Sequence, residues 1–300
     1  MNICAPDKYD KNSKSCFTTN QLIEMTKAYN RYVTKQRMAP SRNNNFNNAE
    51  LIKIKSDKEY LIDNLMKRFN NVCNGNEICL TQQDFMNDVL KEVRDDIEND
   101  TFRPNGPAKS TEWLSTTDIN NIMKQYETVF PGFKFMGAVP LDCNDHSFCS
   151  LYQINFNEHE NNGITKMGVV FNHDRYGESG SHWVALYINI EAGEIYFCDS
   201  MGKEPIGNIK HVIKSYMDYY KKKTGTNAIY RQNTKSYQKD QSECGVYSCN
   251  FIIRNLNGEK FEDIVNNPLT FQGINSCRNV YFRNKTSKFK ENPMCDPRIY

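Results

Sequence analysis

No stretch of the 300-residue chain comes near the ~18 consecutive apolar residues that a membrane-spanning helix needs, so no membrane span is expected. The opening residues, MNICAPDKYDKNSKSC, contain no apolar block of the kind a secretory signal requires, and no signal peptide is expected. Charge of one sign is also missing: Lys+Arg number 38 and Asp+Glu 36, a net charge of +2. Nucleic acid is therefore not expected as the main ligand or as a requirement. The one basic run, YYKKKTG, reads as a solvated helix end. Tight metal-ligand spacing is absent too. Cys73/Cys79 and Cys143/Cys149, the second pair enclosing His146, are set wider than the usual zinc spacings. They read as structural cysteines, and no metal is expected. There is no internal repeat and no low-complexity tract.

What is present describes a folded protein. The hydrophobic fraction is 38% and the aromatic fraction 12%, enough to build a core. The length suits one large domain or two smaller ones. There are 11 cysteines. With no signal peptide expected, they read as free thiols of a reduced, intracellular protein.

The first third reads as helical. In TTNQLIEMTKAYNRYV, Thr18 and Gln21 form a capping box. Leu22, Met25, Tyr29 and Val33 follow at helical spacing. SDKEYLIDNLMKRFNNV repeats the design with Ser56 and Glu59 as the box and Leu61, Leu65 and Phe69 on one face. TQQDFMNDVLKEVRDDI reads as a third helix, starting at Thr81 and Asp84 and presenting Phe85, Val89, Leu90 and Val93. APSRNNNFNNAE is a polar loop between the first two helices. Two prolines and a glycine in RPNGPAKS, residues 103–110, mark a boundary. This gives a helical N-terminal domain over 1–107 and a second domain over 108–300.

The second domain starts with a capped helix, STEWLSTTDINNIMKQYETVF. The pattern then shifts to short apolar runs that read as strands: FKFMGAV, SLYQINF, ITKMGVVFN, HWVALYINI and EIYFCDS. EAG joins the last two as a hairpin turn. NIKHVIKSYMDYYKKKTG is a helix closed by glycine, AIYRQN a short strand, and CGVYSCNFIIRNL a helix beginning at Cys244. The fold class is α+β: a largely contiguous sheet with helices packed on it.

One stretch, QKDQSECGVYSCNFIIRN over 238–255, carries the chemistry. A cysteine at a helix N-terminus meets unpaired N–H groups and the positive end of the dipole, which favour thiolate. Gly245 beside it permits close backbone approach. A buried structural cysteine is the competing reading of Cys244. A nucleophilic thiol needs a base. Of the five histidines, His182 opens a strand just after a Gly/Ser-rich loop. The base needs an acid to orient it. Asp199 ends the next strand, and hairpin pairing through EAG brings it beside His182. An acyl-transfer site also needs an oxyanion donor; the Cys244 N–H is one, and Gln238 and Gln241 are both candidates for a second.

These residues resemble the cysteine peptidases that include adenain and the SUMO-specific proteases. His-Trp opens one strand and Asp-Ser closes the next, with 17 residues from His182 to Asp199; Gln238 stands six residues before Cys244, in Cys-Gly-Val-Tyr. EWLSTTDINNIMKQY is similar to the family's Trp-Leu helix. The resemblance covers roughly residues 110–260. It implies a papain-type core, a mixed sheet flanked by helices. It implies His182 as base, Asp199 as orienter, Gln238 rather than Gln241 as oxyanion donor, and Cys244 as nucleophile. Trp183 is implied as a wall of the substrate channel, suited to cleavage after Gly-Gly or Gly-X. No cofactor is implied. The helical N-terminal third resembles that of proteases of large cytoplasmic DNA viruses, the African swine fever virus type. That implies a protein substrate, a viral polyprotein processed in virion maturation, and a location in the host-cytoplasmic viral factory or the virion. A deconjugating protease acting on a ubiquitin-like conjugate is the main alternative. An acetyl-CoA-dependent acyltransferase is disfavoured by Asp rather than Glu as orienter and by the lack of a phosphate-binding basic cluster. A non-enzymatic module is disfavoured because every triad position is filled.

Overall fold

The computed structural model describes residues 3–38, 49–107, 109, 111–284, 287–290 and 292–299. It divides into two compact units, residues 2–103 and 104–300.

The N-terminal unit is built on the helix Thr19–Met38. Its start is the reciprocal capping box the sequence announces: Thr18 N–H donates to Gln21 Oε1 at 2.7 Å and Gln21 N–H to Thr18 Oγ1 at 3.2 Å. Leu22, Met25, Tyr29 and Val33 are all buried in one cluster with Leu61, Leu65 and Phe85. The second helix, Lys58–Arg68, is capped by Asp57, whose side chain accepts from Tyr60 N–H, and not by Ser56. The third helix is not continuous. Residues Asp84–Asp88 form a 3₁₀ turn, and Val89 and Leu90 are extended. A regular helix resumes only over Lys91–Asp96. Tertiary bonds stabilise the break: Arg31 donates to the Asp88 carbonyl at 2.6 Å and Lys35 pairs with its carboxylate at 2.6 Å. Leu90, freed from the core stripe, is exposed. The polar loop 39–50 lies almost wholly outside the described residues.

The C-terminal unit holds one five-stranded sheet in the order β1 (Phe133–Val139), β2 (Lys166–Asn172), β3 (Trp183–Asn189), β4 (Glu194–Cys198), β5 (Ile229–Gln232). The outer pairs are parallel and β2–β3–β4 are antiparallel. The stretch 150–156 is not a strand. Gln153 takes a left-handed backbone (φ 49°), and the Asn155 side chain caps a short helix, Phe156–Asn161. Its buried Leu151 and Phe156 still enter the core, so an apolar loop imitates a strand in sequence.

β2 and β3 are apolar throughout because both faces are covered. Val169, Phe171, Val184, Leu186 and Phe197 share a core cluster with the helix Gly207–Thr224. The alternate residues face the helix Cys244–Leu256, which packs on β3 and β2. At Gly168 an added Cβ would meet Ile252 Cγ2 and Phe133 Cζ at 3.1 Å. The glycine in β2 therefore sets how closely this helix seats. Burial of Phe251, Ile252, Ile253 and Leu256, each contributing about 1.5–3 kcal/mol, anchors the helix and so its first residue, Cys244.

Six cysteines form three disulfides: Cys4–Cys16, Cys73–Cys79 and Cys277–Cys295. The expectation that all the cysteines are free thiols is thereby corrected. Sequence spacing carries no information on Cβ separation, and that separation decides whether a pair can bond. Cys143, Cys149, Cys198, Cys244 and Cys249 remain thiols.

Candidate active site

β3 and β4 form a hairpin across Glu191–Gly193, with Asn189 opposite Glu194 and Ala185 opposite Cys198. Continued one step, that register sets Asp199 opposite Val184, so His182 meets it diagonally at the open end of the hairpin. His182 Nε2 lies 2.7 Å from Asp199 Oδ1. Asp199 is fully buried. Its Oδ1 also accepts Met201 N–H at 2.8 Å, while Oδ2 is buried without a partner among the described residues. Asn233, at the exit of β5, clamps the Asp199 backbone from both sides. It accepts from Asp199 N–H at 2.9 Å and donates to the Asp199 carbonyl at 2.6 Å.

Cys244 is the first residue of its helix and is buried. Its thiol neighbours His182 and acts on its charge, while its geometric hydrogen bond runs to the Gln241 carbonyl at 3.9 Å. With Nε2 engaged by Asp199, Nδ1 is the nitrogen left for sulfur. Burial pushes the His182 pKa down, but the bond to Asp199 and the influence of the Asp199 and Cys244 groups beside it outweigh that and raise it to about 9. Burial likewise pushes the Asp199 carboxyl up, yet the bonds from His182 and Met201 leave it below its usual range. His173 meets His182 edge-on, with ring centroids 5.0 Å apart. Burial first, then the neighbouring His182 charge, lowers the His173 pKa.

Trp183 is buried, and its indole N–H donates to the Leu114 carbonyl at 2.9 Å. It also lines a cleft of about 700 Å³, together with Trp113, Gly137, Asn172, Tyr176 and Gly180. The indole thus serves as core residue and cleft wall together. Gly245 sits against it: a Cβ there would lie 3.0 Å from Leu114 Cβ and 3.3 Å from Trp183 Cδ1.

Gln238 is half-buried and tied to the residue after Asp199. Its Oε1 accepts from Ser200 Oγ at 2.5 Å, and its Nε2 donates to the Asp240 carbonyl at 2.5 Å, leaving one amide hydrogen uncommitted. Gln241 is exposed; only its carbonyl approaches the site, accepting from Cys244 Sγ at 3.9 Å. Among the described residues no cluster of three or more His, Cys, Asp or Glu side chains is placed to hold a metal.

The structure therefore brings a bonded His182–Asp199 pair together with Cys244 at a helix start, with Trp183 next to His182 in the chain. A thiol at a helix start, an imidazole and a buried carboxylate in that order are the elements of nucleophilic acyl transfer. Sequence reasoning did not find Asn233, His173 or Arg278, which contacts the loop before Cys244. Asn233 follows the short strand Ile229–Gln232, where an amide that could bond back to the chain is a readable signal. His173 closes β2 without such a signal.

Residues 169–292 match the Ulp1 protease family, C-terminal catalytic domain. The chain is 57% identical over 297 residues, 99% of its length, to "Putative thiol protease R355" of Acanthamoeba polyphaga mimivirus, covering 98% of that protein. This chain belongs to the Ulp1-type thiol protease family. Two crystal structures of the ASFV pS273R protease share its fold. One aligns over 94% of this chain and 96% of its own with a TM-score of 0.60, the other over 97% and 96% with 0.56, both at 16% identity.

Proposed function

We propose that the chain is a cysteine endopeptidase that cleaves after Gly-Gly or Gly-X and matures viral structural precursors in the viral factory or the virion. The bonded Asp199–His182 pair, set beside a cysteine at a helix start, is the observation that carries this reading. The mimivirus relative favours a viral setting. The bulky Trp183 indole at the cleft favours a substrate without side chains next to the scissile bond.

In this mechanism the reacting form is a Cys244 thiolate beside a His182 imidazolium, and the raised His182 pKa supports the imidazolium at neutral pH. The sulfur attacks the glycyl carbonyl carbon. The Cys244 N–H and the free amide hydrogen of Gln238 receive the developing oxyanion. His182 Nδ1–H protonates the leaving amine as the C–N bond breaks, giving a thioester. Neutral His182 then takes a proton from water, the resulting hydroxide attacks the thioester, and the thiolate leaves. The proton remains on His182, restoring the ion pair. Asp199 holds the ring and stabilises its charge throughout.

The test pairs quenched-fluorescent Gly-Gly-X peptides with SUMO and ubiquitin fusions, using wild type and Cys244→Ala. Peptide cleavage lost in the variant supports the reading. Cleavage confined to the folded modifiers transfers the assignment to deconjugation. Full turnover by Cys244→Ala refutes it.

A further inference from the structure

Arg278 is fully buried and stands 34 residues after Cys244. Its Nη2 donates to two carbonyls, Ser242 and Glu112, each at 2.9 Å. Its Nε donates to Asn275 Oδ1 at 3.3 Å. Asn275 in turn donates to Glu243 Oε1 at 3.3 Å, and Glu243 Oε2 accepts the Asp240 N–H at 3.1 Å. Arg278 Nη1 is buried with no hydrogen-bond partner among the described residues. The preceding residue, Cys277, is bonded to Cys295, which pins the start of the helix Arg278–Tyr281.

Both carbonyls matter by their positions. Ser242 lies two residues before Cys244 in the loop that delivers it. Glu112 lies two residues before Leu114, whose carbonyl holds the Trp183 indole. One planar guanidinium therefore bridges the nucleophile loop and the segment that fixes the cleft wall. A buried cation is costly unless it is compensated. Burial lowers the Arg278 pKa, and the groups around it, Glu243 first, then Cys244, Asp118 and Glu112, offset part of that; the carbonyls of Ser242 and Glu112 take its Nη2 hydrogens.

We propose that Arg278 is a positioning residue for the thiol protease reaction, holding the Cys244 loop in register with Trp183 and fixing a buried cation on the carbonyl two residues before the nucleophile. The proposal rests on the assignment of Cys244 as nucleophile. The groups facing Cys244 and this charge are His182 with Asp199, Glu243, Asp118 and Glu112. Against them Arg278 presents a planar fork that lysine does not reproduce.

The test measures Cys244 alkylation by iodoacetamide against pH, located by peptide mass, alongside kcat and KM on a Gly-Gly-X peptide and the melting temperature. In Arg278→Gln the alkylation midpoint moves up by about half a pH unit or more, and kcat falls about 30-fold with KM nearly unchanged. Arg278→Lys keeps the midpoint near wild type while kcat falls about tenfold, because charge survives and the double carbonyl latch does not. Asn275→Ala, which loosens Arg278 without removing it, moves both readings the same way by about threefold in kcat. The proposal is overturned if Arg278→Gln lowers only the melting temperature. If Arg278→Gln fails to fold, wild-type midpoint and kcat in Asn275→Ala overturn it. A failed premise looks different: wild-type Cys244 reacts no faster than Cys149, and Cys244→Ala retains turnover.

Discussion

His182 Nε2 and Asp199 Oδ1 lie 2.7 Å apart across the open end of the β3–β4 hairpin, and the bond determines which ring nitrogen is left for Cys244. The hairpin brings the pair together diagonally beyond its ladder, since neither residue belongs to a strand and each is one residue beyond one. Asp199→Asn replaces the charge that holds His182 protonated. Loss of the orienting carboxylate is expected to lower kcat by about a hundredfold or more, and the alkaline limb of the pH–rate profile moves to lower pH. Steady-state kinetics across pH check both.

The pH dependence follows from the same pair. The raised His182 pKa means that the imidazolium stabilises the fold below the ordinary histidine value, and this contribution is lost as pH rises through about 9. Asp199 has the opposite sign: its contribution is present above the ordinary aspartate range and is lost as pH falls through its depressed value. Activity that depends on imidazolium should fall as pH rises through about 9. A pH–rate profile combined with melting curves reads the two limbs separately.

Gly245→Ala places a methyl 3.0 Å from Leu114 Cβ and 3.3 Å from Trp183. Overpacking of this kind typically costs about 1–3 kcal/mol, and the shift falls on the nucleophile's own helix start. A lower melting temperature together with reduced kcat is expected. Calorimetry and peptide turnover measure them.

Much of the site was legible because its logic is local. Short apolar runs on either side of the EAG turn locate His182 and Asp199 at adjoining strand ends, and an apolar helix beginning at Cys-Gly locates Cys244. The misses share one cause, tertiary contacts overriding local pattern. Residues 81–97 read as one helix, yet Arg31 and Lys35 hold Asp88 where the helix breaks. Residues 150–156 read as a strand, yet Asn155 caps a helix there. Arg278 carries no local signature, because its two carbonyl partners lie 166 and 36 residues away.

Trp183→Phe keeps an aromatic wall but leaves the Leu114 carbonyl without its donor. An unsatisfied buried acceptor costs about 1–3 kcal/mol, so the melting temperature should fall. Trp183→Ala additionally opens the cleft wall, and discrimination for glycine over alanine next to the scissile bond should relax. Relative kcat/KM for Gly-Gly-X and Gly-Ala-X peptides is the measure.

The central claim is that Cys244 is the nucleophile, and trapping its acyl-enzyme tests this most directly. Wild type and Cys244→Ala are incubated with a Gly-Gly peptide carrying an activated ester at its C-terminal carboxyl, and the adduct is mapped by mass spectrometry. The account predicts one thioester, on Cys244, absent from the variant, together with loss of peptide cleavage. An adduct on another residue, or cleavage that survives in Cys244→Ala, would contradict it.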